Sequence, residues 1–405
     1  MRPLADALPQ RMSADGLVAL EILPGNPDFL DLPWHLPMAR WREVSTRIVE
    51  VPRGVSRHEV LFLQYDRTLY AAKELPPNVG EREYDALRWL EQHELPAVHA
   101  AGHARVRREG EEASLLFTRF LEYSIPFRTL FENAGLEQYR SRLLDAIAGL
   151  LVRLHLAGFF WGDCSLSNTL FKRDAGQLQA YLVDAETAEM HEELSQGQRQ
   201  HDLELLQENV AGDLLDVAAM LGERREETLD RTPEEIRSRY EKLWSEIGRV
   251  DTLAPSESWR IHERIRSLNA LGFTVGEVKL EATGDGSRLR MRAIVTDRDY
   301  DRDLLQDLTG LNAEDHQARL MVQEIQELRA TLARSENRSV PLQVAAYRWL
   351  TERYQPTVRR VADHGEPAEL YCELLENKWY LSERAGHDVG MEVALEDYLK
   401  RFAPA

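Results

Sequence analysis

LHLAGFFWGDCSLSN, residues 154–168, ends a long apolar helix at Gly158 and then places Asp163 and Asn168 five residues apart in a short loop. Sixteen residues further on, in YLVDAE, Asp184 directly follows a short apolar run that is typical of a strand. Transfer of a γ-phosphoryl group requires a carboxylate that orients the attacking hydroxyl and oxygen ligands that hold Mg²⁺ on the nucleotide phosphates. Asp163, Asn168 and Asp184 are residues of the types that supply those parts.

The loop resembles the catalytic loop of the protein-kinase-like superfamily, in which an Asp is followed five positions later by an Asn and then, after a strand, by a metal-binding Asp. Gly162-Asp163 followed by Ser167-Asn168 is similar to the branch that includes lipopolysaccharide (Kdo and heptose) kinases and aminoglycoside phosphotransferases. The resemblance implies an α+β, bilobal fold with a small β-rich N-lobe and a helical C-lobe. It also implies that Asp163 is catalytic and that Asn168 and Asp184 bind the metal.

Two positions depart from the pattern of that branch. Trp161 stands where the loop usually has His, and Asp184 is followed by Ala185-Glu186 in place of Phe-Gly. Neither change removes a catalytic atom. Together they leave a degenerate, non-phosphorylating relative open as an alternative.

A kinase-like fold requires a lysine on a strand to hold the nucleotide phosphates. Residues 58–75 form two β-rich runs around a turn at Asp66, and Lys73 lies near the end of the second run. Tyr70-Ala71-Ala72-Lys73 is similar to the strand-lysine motif of the superfamily. The resemblance implies that Lys73 is catalytic and binds the nucleotide.

The same fold requires a helical glutamate that holds this lysine. Residues 76–80 contain helix and strand breakers, and residues 81–94 that follow have helical spacing. Glu83 begins the pattern Glu-x-x-x-Leu-x-x-Leu, which resembles the ion-pairing helix of the superfamily. We therefore expect Glu83 to pair with Lys73, and Glu81 is the alternative partner.

The nucleotide-binding segments are less distinct. Gly54, with Ser56 near it, is the one glycine between two expected strands, and a loop with one glycine still presents backbone N–H groups to phosphate. By resemblance, Arg119, Phe120 and Leu121 form the hinge whose backbone would bond an adenine edge.

Each of these residues also has an ordinary structural explanation. A lone Asp after Gly is usually a turn or cap residue, and a lone Lys on a strand is usually an exposed charge. The order of strand lysine, helical glutamate, apolar strand, long helix, loop and final Asp makes chance assembly improbable. The series therefore indicates kinase-like ancestry, while activity is a separate hypothesis.

The remainder of the chain predicts a second region. We expect an N-terminal extension at 1–40, an N-lobe at 41–121, a C-lobe at 122–228 and a mainly helical domain at 229–405. The last domain is expected to hold one β-hairpin, turning at Gly284-Asp285-Gly286, and helices at 233–248, 256–271, 313–337, 341–353 and 391–402. Its end, NKWYLSERAGHDVG, resembles a bacterial family with a C-terminal domain of unknown function, which implies no known chemistry.

Composition narrows the class of protein. The chain has 405 residues, of which 43% are hydrophobic, enough for two or three domains. Its net charge of −19 argues against nucleic-acid binding and against attraction to an acidic membrane surface. Two cysteines, Cys164 and Cys372, are too few for a disulfide framework or a cysteine-rich zinc site.

Targeting signals are not apparent in the sequence. The segment MRPLADALPQRMSADG has no apolar core, so it predicts no secretory signal. The most apolar window, 143–160, is interrupted by charged side chains and predicts a buried helix, not a membrane span. We therefore expect a cytoplasmic protein.

The leading functional hypothesis is a phosphotransferase that uses ATP and Mg²⁺ and acts on a hydroxyl of a small-molecule, sugar or glycolipid-type acceptor. A pseudokinase that holds a protein partner through its C-terminal domain is one alternative. A nucleotidyl transferase that attaches AMP on the same fold is another. Trp161, the presence of only one glycine (Gly54) in the expected phosphate-binding loop, and Ala185-Glu186 favour the pseudokinase.

Overall fold

The structure is a computed structural model, and it describes residues 16–51, 59–132, 139–221, 231–270, 274–283, 288–296, 300–361 and 365–402. Within these residues the chain divides into two compact units. The first unit comprises Met1–Glu122, Arg153–Leu170 and Tyr181–Met220, and the second comprises Tyr123–Val152, Phe171–Ala180 and Leu221–Ala405.

The first unit begins with a six-stranded antiparallel sheet whose strand order is β1-β5-β6-β4-β3-β2. The predicted turn between β3 and β4 is present, and Asp66 there has a φ of 52°. The strands are β1 (Leu17–Ile22), β2 (Ile48–Val49), β3 (Val60–Tyr65), β4 (Thr68–Leu75), β5 (Ala100–Arg108) and β6 (Glu111–Arg119). A short helix, α1 (Trp41–Val44), precedes β2.

Large aromatic side chains cover one face of this sheet. Phe29, Trp34 and Trp41 are fully buried, and the ring of Phe29 stacks on that of Phe117 at 4.4 Å between centroids. These residues belong to one apolar cluster with the buried side chains of β3, β4, β5 and β6. The segment that we predicted as an N-terminal extension, 1–40, therefore contributes both a strand and core residues to the sheet.

The helix after β4, α2 (Pro77–Gln92), begins four residues earlier than the predicted start at residue 81. The prediction treated residues 76–80 as breakers, and that interpretation was wrong. Pro77 occupies the first turn, where its missing N–H is not needed and its fixed φ suits the helix. Glu83 is buried on this helix, whereas Glu81 is exposed.

The predicted long apolar helix is α4 (Tyr139–Leu156), and it ends two residues before Gly158. Gly158 has a φ of 86°, and a Cβ atom there would lie 2.1 Å from the carbonyl oxygen of His191. Only glycine fits this turn. The elements that follow are β8 (Phe159–Phe160), β9 (Thr169–Asp174), β10 (Gln177–Leu182), β11 (Glu189–Met190) and α5 (Gln196–Leu221).

The second unit contains two small sheets and most of the helices. One sheet has the order β10-β9-β7, and the other has the order β12-β14-β13. Its further elements are β7 (Ile125–Pro126), α3 (Phe127–Glu132), α6 (Thr232–Gly248), β12 (Val250–Leu253), α7 (Trp259–Ala270), β13 (Thr274–Ala282), β14 (Leu289–Thr296), α8 (Tyr300–Thr309), α9 (Asp315–Glu336), α10 (Leu342–Trp349), α11 (Gln355–Arg359), α12 (Pro367–Ala385) and α13 (Gly390–Phe402).

The predicted class, a β-rich N-terminal region followed by helical regions, is confirmed. The expected single hairpin is β13 and β14, and the turn predicted at 284–286 lies outside the described residues. A third strand, β12, joins the hairpin on the far side of β14. Four residues directly after a helix are too few to show alternation, so the sequence pattern did not reveal it.

The helices of the second unit enclose an aromatic core. Trp349, Tyr354 and Tyr371 pack together, and Trp349 Nε1 and Tyr371 Oη both donate hydrogen bonds to the carboxylate of Glu324. A π-helical turn, Leu350–Tyr354, links α10 to α11. In the described part of the chain, no helix is both long enough and apolar enough to cross a membrane.

Candidate active site

Lys73 lies at the centre of a group of acidic side chains in the first unit. Its ammonium Nζ contacts Glu83 Oε2 at 3.0 Å and Asp184 Oδ2 at 2.6 Å. Lys73 is on β4, which is paired with a strand on each side, and Glu83 is on α2. Because the backbone of a central strand is held on both edges, the lysine is presented from a rigid element. The structure thus brings together three of the residues singled out from the sequence.

A third carboxylate, Glu186, lies 3.6 Å from the same ammonium group. Oxygen atoms of Glu83, Asp184 and Glu186 all lie within 4.8 Å of one another. Three carboxylates thus surround one ammonium, so negative charge exceeds positive charge in this group of side chains when all of them are ionised. Burial, and then the charge of Asp184, raise the pKa of Glu83 to about 8, although Lys73 acts in the opposite direction. Although burial lowers it, the pKa of Lys73 is raised by Glu83 and Asp184.

The predicted catalytic loop forms a second group of polar contacts. Asn168 Nδ2 donates to Asp163 Oδ2 at 3.0 Å and to the carbonyl oxygen of Asp163 at 3.1 Å. Asn209 Nδ2, on α5, donates to Asp163 Oδ1 at 2.9 Å. The two amide groups therefore fix the orientation of the Asp163 carboxylate.

The backbone connects the loop to the group around Lys73. The N–H of Val183 donates to the carbonyl oxygen of Asn168 at 3.0 Å, so the residue before Asp184 is bonded to Asn168. Since Asn168 uses its amide nitrogen on Asp163, its amide oxygen is the atom that suits a cation. Asp184 and Asn168 thus each offer an oxygen atom of the kind that Mg²⁺ prefers.

Trp161, which stands where related loops have His, is fully buried. Its indole Nε1 donates to the carbonyl oxygen of Asp184 at 2.9 Å, and its carbonyl oxygen accepts from Thr187 Oγ1 at 3.0 Å. The neighbouring Gly162 has a φ of 78°, and a Cβ atom there would lie 2.9 Å from the carbonyl oxygen of Thr187. Trp161 therefore connects the loop to the segment that carries Asp184.

Asp202, near the start of α5, accepts hydrogen bonds from the predicted catalytic loop. We did not predict this role from the sequence. Its carboxylate accepts the N–H groups of Trp161 at 2.9 Å and Gly162 at 2.8 Å, and His155 Nε2 lies 3.0 Å away. The thiol of Cys164 lies 3.2 Å from the same carboxylate. Although burial raises it, the pKa of Asp202 is held below its ordinary value by His155 and by the two backbone N–H groups.

The spacing of polar residues on α5 is the signal that could have revealed this support. Asp202, Asn209 and Asp213 are separated by seven and four residues, so they lie on one face of the helix. Asp213 accepts hydrogen bonds from the N–H and the hydroxyl of Ser167. Polar residues repeated at helical spacing among buried apolar ones therefore mark a polar face of α5, without identifying the segment that this face contacts.

The buried pair His155 and Asp202 makes stability depend on pH. Burial lowers the pKa of His155 below its ordinary value of 6.5, although Asp202 acts to raise it. The unfolded chain then binds the proton more readily than the folded chain, so the free energy of unfolding falls as the pH drops below 6.5. We expect wild type to lose up to about 1.4 kcal/mol per pH unit more than His155→Gln over this range.

Urea denaturation of both proteins at successive pH values from 8 down to 5.5 measures this difference. Above the ordinary pKa of His the difference in free energy between the two proteins should be constant, because neither state is protonated. Equal pH dependence of the two proteins would contradict the prediction.

Two backbone N–H groups of the predicted hinge already donate hydrogen bonds within the chain. The N–H of Arg119 donates to the carbonyl oxygen of His99, and the N–H of Phe120 donates to that of Leu69, both at 2.9 Å. The side chain of Arg119 also bonds Asn26 and the carbonyl of Gly25. Gly54 and Ser56, predicted to contact nucleotide, lie outside the described residues.

Two family models match the chain. Residues 61–229 match the lipopolysaccharide kinase (Kdo/WaaP) family, and residues 242–403 match a domain of unknown function, DUF4032. Both segments agree with the resemblances that the sequence suggested. No curated protein matches the chain in sequence.

Similar solved structures include a kinase of the first family. WaaP in complex with acyl carrier protein is 16% identical, with a TM-score of 0.36, and the match covers 63% of this chain and 99% of that chain. The BubR1 kinase domain is 14% identical, with a TM-score of 0.29, and the match covers 37% of this chain and 49% of that chain.

Proposed function

Residues 61–229 are a kinase-like domain of the lipopolysaccharide kinase (Kdo/WaaP) family, and from this we propose that the protein transfers the γ-phosphoryl group of ATP to a hydroxyl of a sugar or glycolipid-type acceptor. Asp163 orients the acceptor hydroxyl and takes its proton. Lys73, held by Glu83, neutralises charge on the nucleotide phosphates. Asn168 and Asp184 hold Mg²⁺, which when bound neutralises the charge between the phosphates.

The observation that carries this proposal is the pair of contacts made by Lys73. One ammonium group lies within 3.0 Å of the helical carboxylate of Glu83 and within 2.6 Å of Asp184, which follows a different strand. A lysine placed for an ordinary surface role would not be 13% exposed among three carboxylates. A nucleotide phosphate would compete for this ammonium, and a divalent cation would relieve the crowding of negative charge.

The hinge supplies the expected adenine contact through the amide of Leu121. The amides of Arg119 and Phe120 are already bonded within the chain, so they are not available to a base. Leu121, partly buried, comes directly after them. We therefore place the adenine edge against the backbone of Leu121.

The boundaries and location that we propose follow from the same function. The N-lobe is placed at 41–121, with the preceding segment adding β1 and core residues to its sheet, the C-lobe at 122–228 and the further domain at 229–405. A cytoplasmic location suits consumption of ATP, and both cysteines, Cys164 and Cys372, are free and buried.

Isothermal titration of ATP into the protein, with and without Mg²⁺, tests the proposal. We expect micromolar binding that depends on Mg²⁺ and that is lost in Asp184→Asn, because the variant removes a charged ligand oxygen. Glu192→Gln removes one negative charge from an exposed position nearby and should bind as wild type does.

Three outcomes separate the candidate functions. Mg²⁺-dependent binding that is lost in Asp184→Asn supports the phosphotransferase. Absence of binding up to millimolar ATP would refute it and favour a pseudokinase that holds a protein partner through its C-terminal domain. If binding is found, intact-mass analysis of acceptors separates addition of a phosphoryl group from addition of AMP, which would reveal a nucleotidyl transferase.

A further inference from the structure

The β9–β10 hairpin, residues 169–182, joins two of the residues in the proposed metal site. Asn168 directly precedes β9, and Asp184 follows the end of β10 by two residues. The strands are connected by Ala175 and Gly176, with φ values of 50° and 81°. Positive φ at both positions is the pattern of a tight two-residue hairpin turn.

The tip of this hairpin extends beyond a small sheet. Its sheet contains one further strand, β7, which is two residues long. A two-stranded hairpin is marginally stable in water unless it packs on other elements. Leu182, at the end of β10, is bonded to Pro96 and Val98, whereas the tip depends on what packs against it.

The carboxylate of Asp174, at the end of β9, caps the N-terminal end of α9, a helix of the DUF4032 segment. Its Oδ1 accepts the N–H groups of His316 at 2.8 Å and Gln317 at 2.9 Å, in the first turn of α9. Its Oδ2 lies 2.8 Å from Nδ1 of His316. The residue is 1% exposed. A carboxylate at this place satisfies free N–H groups and the positive end of the helix dipole.

Lys172 makes the second connection. Its ammonium contacts Glu314 at 2.6 Å and Glu366 at 2.9 Å, and its side chain is 11% exposed. Both carboxylates belong to the DUF4032 segment. Two partners for one buried ammonium satisfy the charge, whereas the loss of the lysine would leave the carboxylates facing each other.

The turn itself is also held. The N–H of Ala175 donates to Glu369 Oε2 at 2.7 Å, and Gln317 Nε2 donates to the same oxygen at 2.8 Å. Gln317 Nε2 also donates to the carbonyl oxygen of Arg173 at 3.0 Å. The side chain of Ala175 packs against the apolar core of the C-terminal helices.

We propose that the domain of unknown function is an intramolecular support that positions the metal-binding residues through the β9–β10 hairpin. Buried polar contacts fix the tip of the hairpin, and the two ends of the hairpin lead by chain connection to Asn168 and Asp184. Lys172 and Asp174 are thus positioning residues. The inference rests on the proposed function insofar as Asn168 and Asp184 hold Mg²⁺.

Lys172→Met in the full chain tests this role by two measurements. Hydrogen exchange of the backbone amides of 169–182, followed by mass spectrometry, should become faster. The Mg²⁺ concentration that gives half-maximal ATP binding should rise roughly tenfold, as is usual when support of a metal ligand is lost. ATP binding without Mg²⁺ should stay the same.

Matched variants separate positioning from general damage. Gln177→Met changes an exposed residue of the same hairpin and should behave as wild type does. Lys172→Arg keeps the positive charge and should restore most of the Mg²⁺ affinity. If Lys172→Met does not fold, Glu366→Gln weakens the same contact from the other side while Glu314 stays in place, and it should show the same changes at smaller size.

Two results would overturn the proposal. Exchange in 169–182 that is unchanged in Lys172→Met and in Asp174→Asn would show that the domain does not support the hairpin. Faster exchange with an unchanged Mg²⁺ requirement would show that the hairpin does not position the metal ligands. If wild type binds no ATP, the proposed function fails, and the exchange comparison alone then decides whether the hairpin is supported.

Discussion

Replacing Asp163 with Asn should slow transfer of the γ-phosphoryl group by about 10²–10⁴-fold, the usual contribution of a positioned acid or base, while ATP and Mg²⁺ bind as in wild type. The carboxylate is held by the amides of Asn168 and Asn209, at 3.0 and 2.9 Å. An Asn side chain keeps the size of Asp but cannot accept the proton of a hydroxyl. The loss should therefore fall on the rate and not on nucleotide affinity.

Release of phosphate from ATP, with water as acceptor, measures this rate before the natural acceptor is identified. Titration of ATP on the same samples measures affinity. Asp85→Asn alters an exposed carboxylate on α2 and serves as the control. An undiminished rate in Asp163→Asn would remove Asp163 from the proposed reaction.

Replacing Asp202 with Ala should lower the free energy of unfolding by roughly 3–5 kcal/mol, the range for removing one partner of a buried pair. The N–H groups of Trp161 and Gly162 would lose their acceptor, as would His155. His155, Trp161 and Asp202 are buried, so solvent cannot replace the carboxylate at no cost. We also expect ATP hydrolysis to fall, because the same N–H groups set the path of the loop before Asp163.

Urea denaturation followed by circular dichroism measures the change in stability. Glu208→Gln, which alters an exposed carboxylate on the same helix, should shift the free energy of unfolding by less than about 0.5 kcal/mol. A loss of similar size in Asp202→Ala would mean that the buried carboxylate contributes no more than a surface charge does.

The site residues that lie in local sequence motifs could be predicted from the sequence. Lys73 and Glu83 were recognisable because a segment with strand periodicity is followed directly by a segment with helical periodicity. Asp163 and Asn168 were recognisable because their spacing lies within one loop. The structure brings Lys73 and Glu83 into contact and joins Asp163 to Asn168. The roles of these residues in catalysis stay predictions.

Contacts between distant segments could not be predicted in the same way. Asp202 follows the loop by about 40 positions, and its helical spacing with Asn209 and Asp213 does not identify the segment that this face of α5 contacts. Whether the backbone N–H groups of Arg119 and Phe120 are used in hydrogen bonds within the chain depends on which strands pair. No local sequence pattern predicts that pairing. Lys172 likewise shows nothing in its surroundings that points to Glu314 or Glu366.

The contacts that hold the β9–β10 hairpin span 142 to 200 positions of the chain. At about 5–20 residues per second, the ribosome makes the last of these partners roughly 10–40 s after the hairpin. The partners of Asp174 are complete once residue 317 has been made, those of Lys172 once residue 366 has been made, and the Glu373 partner of Arg173 comes last. The kinase-like segment is thus translated before the residues that hold its hairpin, so under our proposal the metal-binding residues gain this support only after residue 373 has been made.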